Sequence, residues 1–374
     1  MDSSKLGRMP KFRSSTATAI PMAIVAAPEE DGTQVECKLW KQMHKSSQSM
    51  GAAGFKEAFK LFCDRTLKVS VYEFGGKTRV NLETLQVGVQ ELTEEFLKLK
   101  MKTQAIEVYC IDATRVILTW PAGFCDYIHA NWVDGVERKK KFICTQGPID
   151  KTVDDFWRMI WQEKCKSIIM LCNVMERGKQ KCEQYWPLTP NEPMRLRSGL
   201  TLRFVSMDAV EKSVKLTKIL LTTSSGAQHM VEHFHWTDWP DRGVPNTTTL
   251  AIFRMLCRVN RLIPCVVHCS AGIGRTGTVV GIDMLYRKLE RGDKDVSGPP
   301  IYERTIFKLF QASLLQVVED LREMRHGAVQ MDAQFLYMHR ILLVVAENLN
   351  IITPEETQKF NQDYDNFLKK CGFL

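Results

Sequence analysis

Cys269 and Arg275 stand six residues apart in Val266-Val267-His268-Cys269-Ser270-Ala271-Gly272-Ile273-Gly274-Arg275-Thr276-Gly277, and together they are suited to phosphate chemistry. A thiolate at neutral pH is a strong nucleophile, and phosphoryl transfer to it splits an ester hydrolysis into two easier displacements. A planar guanidinium holds two equatorial phosphate oxygens and stabilises the charge spread over them in the transition state, which a lysine does not match geometrically. Upstream, His235-Trp236-Thr237-Asp238-Trp239-Pro240-Asp241-Arg242-Gly243-Val244-Pro245 follows a β-like run and is packed with turn formers. It reads as a surface loop anchored by aromatics, of the kind that closes over a site.

These groups need a frame. The β-branched run before Cys269 reads as a strand, the glycines as a tight loop, and a helical pattern begins near Arg275. In that setting the backbone N–H groups of Ser270, Ala271, Gly272, Ile273 and Gly274 aim at one point, and the helix N-terminus adds positive potential, so the cradle suits a tetrahedral dianion. The same field favours the thiolate of Cys269. Gly272-x-Gly274-x-x-Gly277 also matches the dinucleotide fingerprint, but that fold needs a second strand ending in an acid about 20 positions on, and Val279 to Leu289 reads as amphipathic helix. The absence of Lys-Ser/Thr at the loop end excludes a nucleotide-triphosphate loop.

The wider chain has 374 residues, 44% hydrophobic and 25% charged, enough for a full core in one large domain or two small ones. Its net charge of +8 favours anionic partners without choosing among them. Twelve cysteines without paired short spacings suggest reduced thiols in a reducing compartment. No stretch reaches the ~20 apolar residues of a membrane helix. Residues 1–35 read as a disordered leader, 36–87 as a helical extension of unknown role, 88–350 as the catalytic domain, and 351–374 as a C-terminal tail. Amphipathic helix is expected over Gly54 to Asp64, Val89 to Lys100, Val153 to Glu163 and Leu314 to Leu349, and strands over Phe142 to Cys144, Ser167 to Leu171, Leu200 to Val205 and Met230 to Trp236. Strands mixed with helices, without strict βαβ alternation, indicate an α/β domain with a twisted mixed β-sheet flanked by helices. His229, His233 and His235 share a strand, but no acid or cysteine completes a metal set at ligand spacing, so no metal is expected.

The cysteine loop resembles the signature of the classical non-receptor protein tyrosine phosphatases: His-Cys, five residues, Arg, then Ser or Thr and Gly. The resemblance covers about residues 88 to 350. It implies Cys269 as nucleophile, Arg275 as phosphate clamp, and Asp241 in the family's mobile Trp-Pro-Asp loop (Trp239-Pro240-Asp241) as general acid and then base, with Asp238 the nearby competitor. It further implies that Gln330 positions the hydrolytic water with Gln334 assisting, that Thr276 hydrogen-bonds the departing thiolate, that Glu176 orients Arg275, that Lys181 sits near Asp241, and that His268 supports the loop. Asp126-Tyr127-Ile128-His129-Ala130-Asn131 extends the match, with His129 where the family usually has asparagine.

Two departures bear on substrate. Thr103-Gln104-Ala105 stands where members carry Asn-Arg-Tyr, so aromatic stacking worth ~0.5–1.5 kcal/mol is lost, although Glu107 still fits the acid that holds the substrate backbone. Gly298 to Ser313 reads as an insertion. The resemblance implies a cytoplasmic, cofactor-free enzyme acting as a monomer on phosphotyrosine-containing proteins, with no nucleic acid among its partners. The alternative is a phosphatase-like module that captures phosphotyrosine without useful turnover. Intact Cys269, Arg275, Asp241 and Gln330 favour the enzyme.

Overall fold

The computed structural model describes residues 52–67, 88–101, 108–245, 250–291 and 314–373. The leader over 1–35, Thr103-Gln104-Ala105, Glu107 and the 298–313 segment lie outside them. Nine strands form one sheet: β1 (Arg115–Ile117), β2 (Tyr127–Val133), β3 (Phe142–Thr145), β4 (Ser167–Met170), β7 (Met194–Arg195), β8 (Thr201–Glu211), β9 (Val214–Thr222), β10 (Gln228–Trp236) and β11 (Cys265–His268). A separate hairpin pairs β5 (Met175–Glu176) with β6 (Lys179–Gln180). The sheet order is β1-β2-β3-β11-β4-β10-β9-β8-β7. At its centre β3, β11, β4 and β10 are parallel, and the strands outside them pair antiparallel. This is the mixed sheet expected from the sequence.

Burial explains the sequence texture of each strand. Every residue of β3, β4 and β11 is buried, as central parallel strands covered on both faces require, and their sequences are short apolar runs without alternation. The outer strand β8 alternates over Thr201 to Phe204 and is exposed at Met207 to Ala209.

Eight α-helices flank the sheet among the described residues: α1 (Ala52–Leu67), α2 (Gly88–Met101), α3 (Val153–Gln162), α4 (Ala251–Val259), α5 (Gly274–Arg291), α6 (Leu314–Met324), α7 (Asp332–Asn348) and α8 (Pro354–Lys370). The helical stretch expected from Leu314 to Leu349 is two helices, broken by Arg325 to Met331, where Gly327 at φ 71° and Val329 at φ 58° leave the helical region. Helix α1, from the segment assigned to an extension, packs on the body: Phe59 meets Tyr286 of α5 edge-on and Phe62 stacks on His339 of α7. The segment assigned to a tail is mostly α8. Thr353 caps it, Pro354 opens it, and Phe360, Tyr364 and Leu368, four apart, are buried.

Candidate active site

Strand β11 lies between β3 and β4, so three parallel strands end side by side. From their ends run Gln146-Gly147, Cys269 to Ile273, and Cys172 to Glu176, and ligand sites in such sheets form outside the carboxyl ends of the strands. The chain passes from His268 through Cys269, itself 4% exposed, and enters α5 at Gly274.

The carbonyls of this loop are all engaged from outside. That of His268 accepts from Leu171 N at 2.9 Å, Ser270 from Gly147 N at 2.9 Å, and Ile273 from Gly277 N at 2.8 Å and Val329 N at 3.1 Å. The Cys269 carbonyl accepts from His268 Nδ1 at 3.1 Å. Those of Ala271 and Gly272 accept from Arg325 Nη2 at 3.0 Å and Nε at 3.1 Å. A trans peptide is planar, so each N–H points opposite to the carbonyl before it. The N–H groups of Ser270 to Gly274 are thereby turned to the inner side of the loop, an arrangement that suits a tetrahedral anion. At Gly272, φ is 70° and a Cβ would lie 2.0 Å from the Thr145 carbonyl oxygen, so only glycine lets β3 approach this closely.

Arg275 is 2% exposed. Its Nη1 donates to Glu176 Oε1 at 2.7 Å and to the Trp239 carbonyl at 2.9 Å; its Nη2 donates to Glu176 Oε2 at 3.1 Å and Asp241 Oδ1 at 3.4 Å. Burial disfavours its charge, but Glu176 and the Cys269 sulfur outweigh that and hold its pKa above the ordinary value. The β5–β6 hairpin turns through Arg177 and Gly178, both at positive φ, as a tight two-residue turn demands. It sets Glu176 and Lys181 on either side of the site: Lys181 Nζ donates to Asp241 Oδ2 at 2.6 Å. Both placements are those expected.

The acid loop is closed over this ion cluster. Trp239 is buried, its Nε1 donates to the Gly243 carbonyl at 2.9 Å, and its ring packs edge-on against Trp236 and Tyr337. Burial pushes the Asp241 carboxyl up, but the Lys181 hydrogen bond and the charges of Arg275 and Arg242 win, so it stands below its ordinary value. Asp238 is committed elsewhere: it accepts from Trp236 Nε1 at 2.6 Å and from the Ser213 hydroxyl.

Gln330 and Gln334 both abut Gly274, where a Cβ would lie 3.3 Å from Gln330 Cβ and 3.1 Å from either end of the Gln334 amide. Gln334 Oε1 accepts from the Gln330 and Met331 N–H groups, each at 3.2 Å. The Thr276 hydroxyl is buried and makes no hydrogen bond within the protein.

Two supporting residues were given no role by the sequence. Tyr185 lies between His268 Nε2 at 2.6 Å and His233 Nε2 at 2.7 Å. Arg325 grips the cradle carbonyls. Of the strand histidines, His229 bonds the Cys165 carbonyl and His235 the Cys172 carbonyl, while His233 meets Tyr185 through Nε2 and leaves Nδ1 without a partner; burial holds His235 down to about 4. No cluster of three metal-binding side chains occurs among the described residues.

The chain matches the protein-tyrosine phosphatase family over residues 99–344. Receptor-type tyrosine-protein phosphatase eta of Mus musculus is 32% identical over 293 residues, 76% of this chain and 22% of that protein. Tyrosine-protein phosphatase non-receptor type 9 of Homo sapiens is 33% identical over 267 residues, 66% of this chain and 42% of that protein. The match thus spans less than half the length of either relative. The crystal structure of the catalytic domain of human protein tyrosine phosphatase non-receptor type 18 superposes with a TM-score of 0.58 at 27% identity, covering 68% of this chain and 96% of that one. The chain belongs to the protein-tyrosine phosphatase family.

Proposed function

We propose that the chain hydrolyses phosphotyrosine in proteins through a cysteinyl-phosphate intermediate, without a metal or other cofactor. The observation that carries this reading is the position of Arg275, whose one guanidinium ties the Glu176 hairpin to the acid loop and feels the charge of the Cys269 sulfur. The substrate phosphate rests on the inward N–H groups of Ser270 to Gly274 and on Arg275. The Cys269 thiolate attacks phosphorus, the bond to the phenolic oxygen breaks, and Asp241 gives that oxygen its proton. Water placed by Gln330, with Gln334 beside it, then attacks phosphorus. Asp241 takes the water's proton, the S–P bond breaks, and phosphate and thiolate are released, with the Thr276 hydroxyl free to turn to the departing sulfur.

In the ligand-free site Lys181 and Arg275 hold Asp241 ionised, whereas the first step needs it protonated. An incoming dianion resolves this, because it engages Arg275 and repels the carboxylate, and both effects favour the acid form. Reduced thiols at the eleven described cysteines, among them Cys172 and Cys182 with sulfurs 4.0 Å apart, support a cytoplasmic location. No described helix is long and apolar enough to cross a membrane. We assign 88–350 as the catalytic domain and phosphotyrosine proteins as partners of a monomer, with no role for nucleic acid.

The test is turnover of a phosphotyrosine and a phosphoserine peptide in the presence of chelator, with vanadate and with Cys269→Ser as controls. Vanadate-sensitive turnover lost in Cys269→Ser is expected. Binding of the phosphotyrosine peptide without turnover by the parent chain would replace the enzyme with a capture module.

A further inference from the structure

We propose that His129 is a positioning residue, whose neutral ring holds Arg325 against the phosphate cradle and whose protonation releases that hold; the proposal rests on the phosphatase reading of the site. Arg325 is fully buried, and beyond the Ala271 and Gly272 carbonyls its Nη1 meets Asn131 Oδ1 at 2.8 Å and His129 Nδ1 at 3.1 Å. A guanidinium only donates, so His129 Nδ1 carries a lone pair. The ring proton is then on Nε2, which donates to the Val108 carbonyl at 3.1 Å. Both ring nitrogens are engaged and the tautomer is set.

A proton added at Nδ1 would oppose two cations across that contact and cancel the acceptor. Arg325 would lose part of its anchorage, and the N–H groups of Gly272 and Ile273, which follow the carbonyls it holds, would lose their aim. An asparagine at this position accepts through its side-chain oxygen at any pH, so the titration belongs to the histidine. Burial and then the Arg325 charge push the ring below its ordinary value of 6.5, so the hold is present at neutral pH and is lost only as pH falls through that lowered value. The titratable and charged groups around this contact are Arg325 itself, Cys144 of β3, Tyr127 of β2, Arg115 of β1, Cys110 and Asp112 from the segment before β1, and Cys269 of the cradle. Among the described residues only Arg325 among charged groups acts on the ring.

The experiment measures kcat/KM for p-nitrophenyl phosphate from pH 7.5 to 4.5 with the full chain, His129→Asn and His129→Leu. The ratio of wild type to His129→Asn is expected to fall about tenfold from pH 7 to pH 4.5, as loss of a hydrogen bond to a charged group implies, and His129→Leu to be impaired throughout. A ratio that stays level, or a leucine variant equal to the asparagine variant at every pH, would overturn the proposal. If the wild type turns over nothing, the phosphatase reading fails by itself. Sulfate, whose charge is constant over this range, is then titrated calorimetrically into the same proteins, and the same fall in relative affinity is expected, a level ratio again overturning the proposal.

Discussion

Glu176→Gln removes one charge and almost no volume from beneath Arg275. In the wild type the two Glu176 oxygens take a bond from each terminal nitrogen of the guanidinium, at 2.7 and 3.1 Å, and Glu176 Oε1 also accepts from the Asn173 N–H at 2.9 Å. The amide keeps one acceptor and turns a donor toward Arg275, so one charged hydrogen bond, about 1.5–3 kcal/mol, becomes a repulsive contact. Removing one partner of a buried pair costs about 3–5 kcal/mol, and the Glu176 side chain is only 9% exposed. The Trp239 carbonyl and Asp241 remain to Arg275 and offset part of this, which leaves an expected loss near 3 kcal/mol. Urea unfolding followed by fluorescence measures it. The clamp also loses its orientation, and a misplacement of about 1 Å costs on the order of 10²-fold in rate, read as kcat/KM on a phosphotyrosine peptide. Stability within 0.5 kcal/mol of wild type (about half a typical hydrogen bond), with kcat/KM within about threefold, would refute the argument that Glu176 positions the clamp.

Lys181→Met removes a donor that keeps Asp241 ionised, so the carboxyl rises, its acid form persists to higher pH, and the alkaline limb of the kcat profile moves up; a limb that stays or moves down contradicts this. The sign for stability follows: a depressed carboxyl contributes above its ordinary value of 3.8 and loses that contribution as pH falls through its folded value, so the wild-type advantage over Lys181→Met should shrink below pH 4 in acid titrations. Gly272→Ala would place a methyl group against the Thr145 carbonyl, and we expect a loss of about 4 kcal/mol or more in chemical denaturation together with activity. Phe373→Ala removes a ring packed on Gly243, where a Cβ would lie 2.9 Å from it. Closure of the acid loop should weaken, so kcat should fall a few-fold with a stability loss of about 1–2 kcal/mol for a half-buried ring, measured by steady-state kinetics and melting.

That Cys269, Arg275, Asp241, Glu176 and Lys181 meet at one place was legible because each belongs to a contiguous motif in which spacing implies geometry. The strand, glycine loop and helix at 266–277 could be read because β-branched residues, glycines and a helical period follow one another within a dozen positions. Arg325 and Tyr185 were not legible. Their partners lie 53 and 83 positions away, and nothing in a lone arginine or tyrosine announces which carbonyl or imidazole the sheet will bring to it. The packing of α1 on α5 and α7 was invisible for the same reason, since the amphipathic pattern shows that a face is buried and not against what.

The directions of the hydrogen bonds behind the cysteine form one chain of deductions. The Cys269 carbonyl only accepts, so His268 Nδ1 carries a proton. A ring with Nδ1 as its one protonated nitrogen would take the Tyr185 O–H at Nε2, and Tyr185, having used its one proton, could then only accept from His233 Nε2. That leaves the lone pair on His233 Nδ1, the buried ring atom without a partner, and burial keeps His233 neutral by pushing its pKa far down. An unpaired acceptor thus sits at the far end of the chain, where no donor among the described residues reaches it, and every link nearer Cys269 is satisfied. The same rule holds around the cradle, where donors from the segments that follow β3 and β4 (Gly147 and Leu171), from the histidine and from the segment after α6 each take a carbonyl. The inner surface is polar because the outer surface has been bound, so the anion site is a consequence of how the loop is fastened to the sheet.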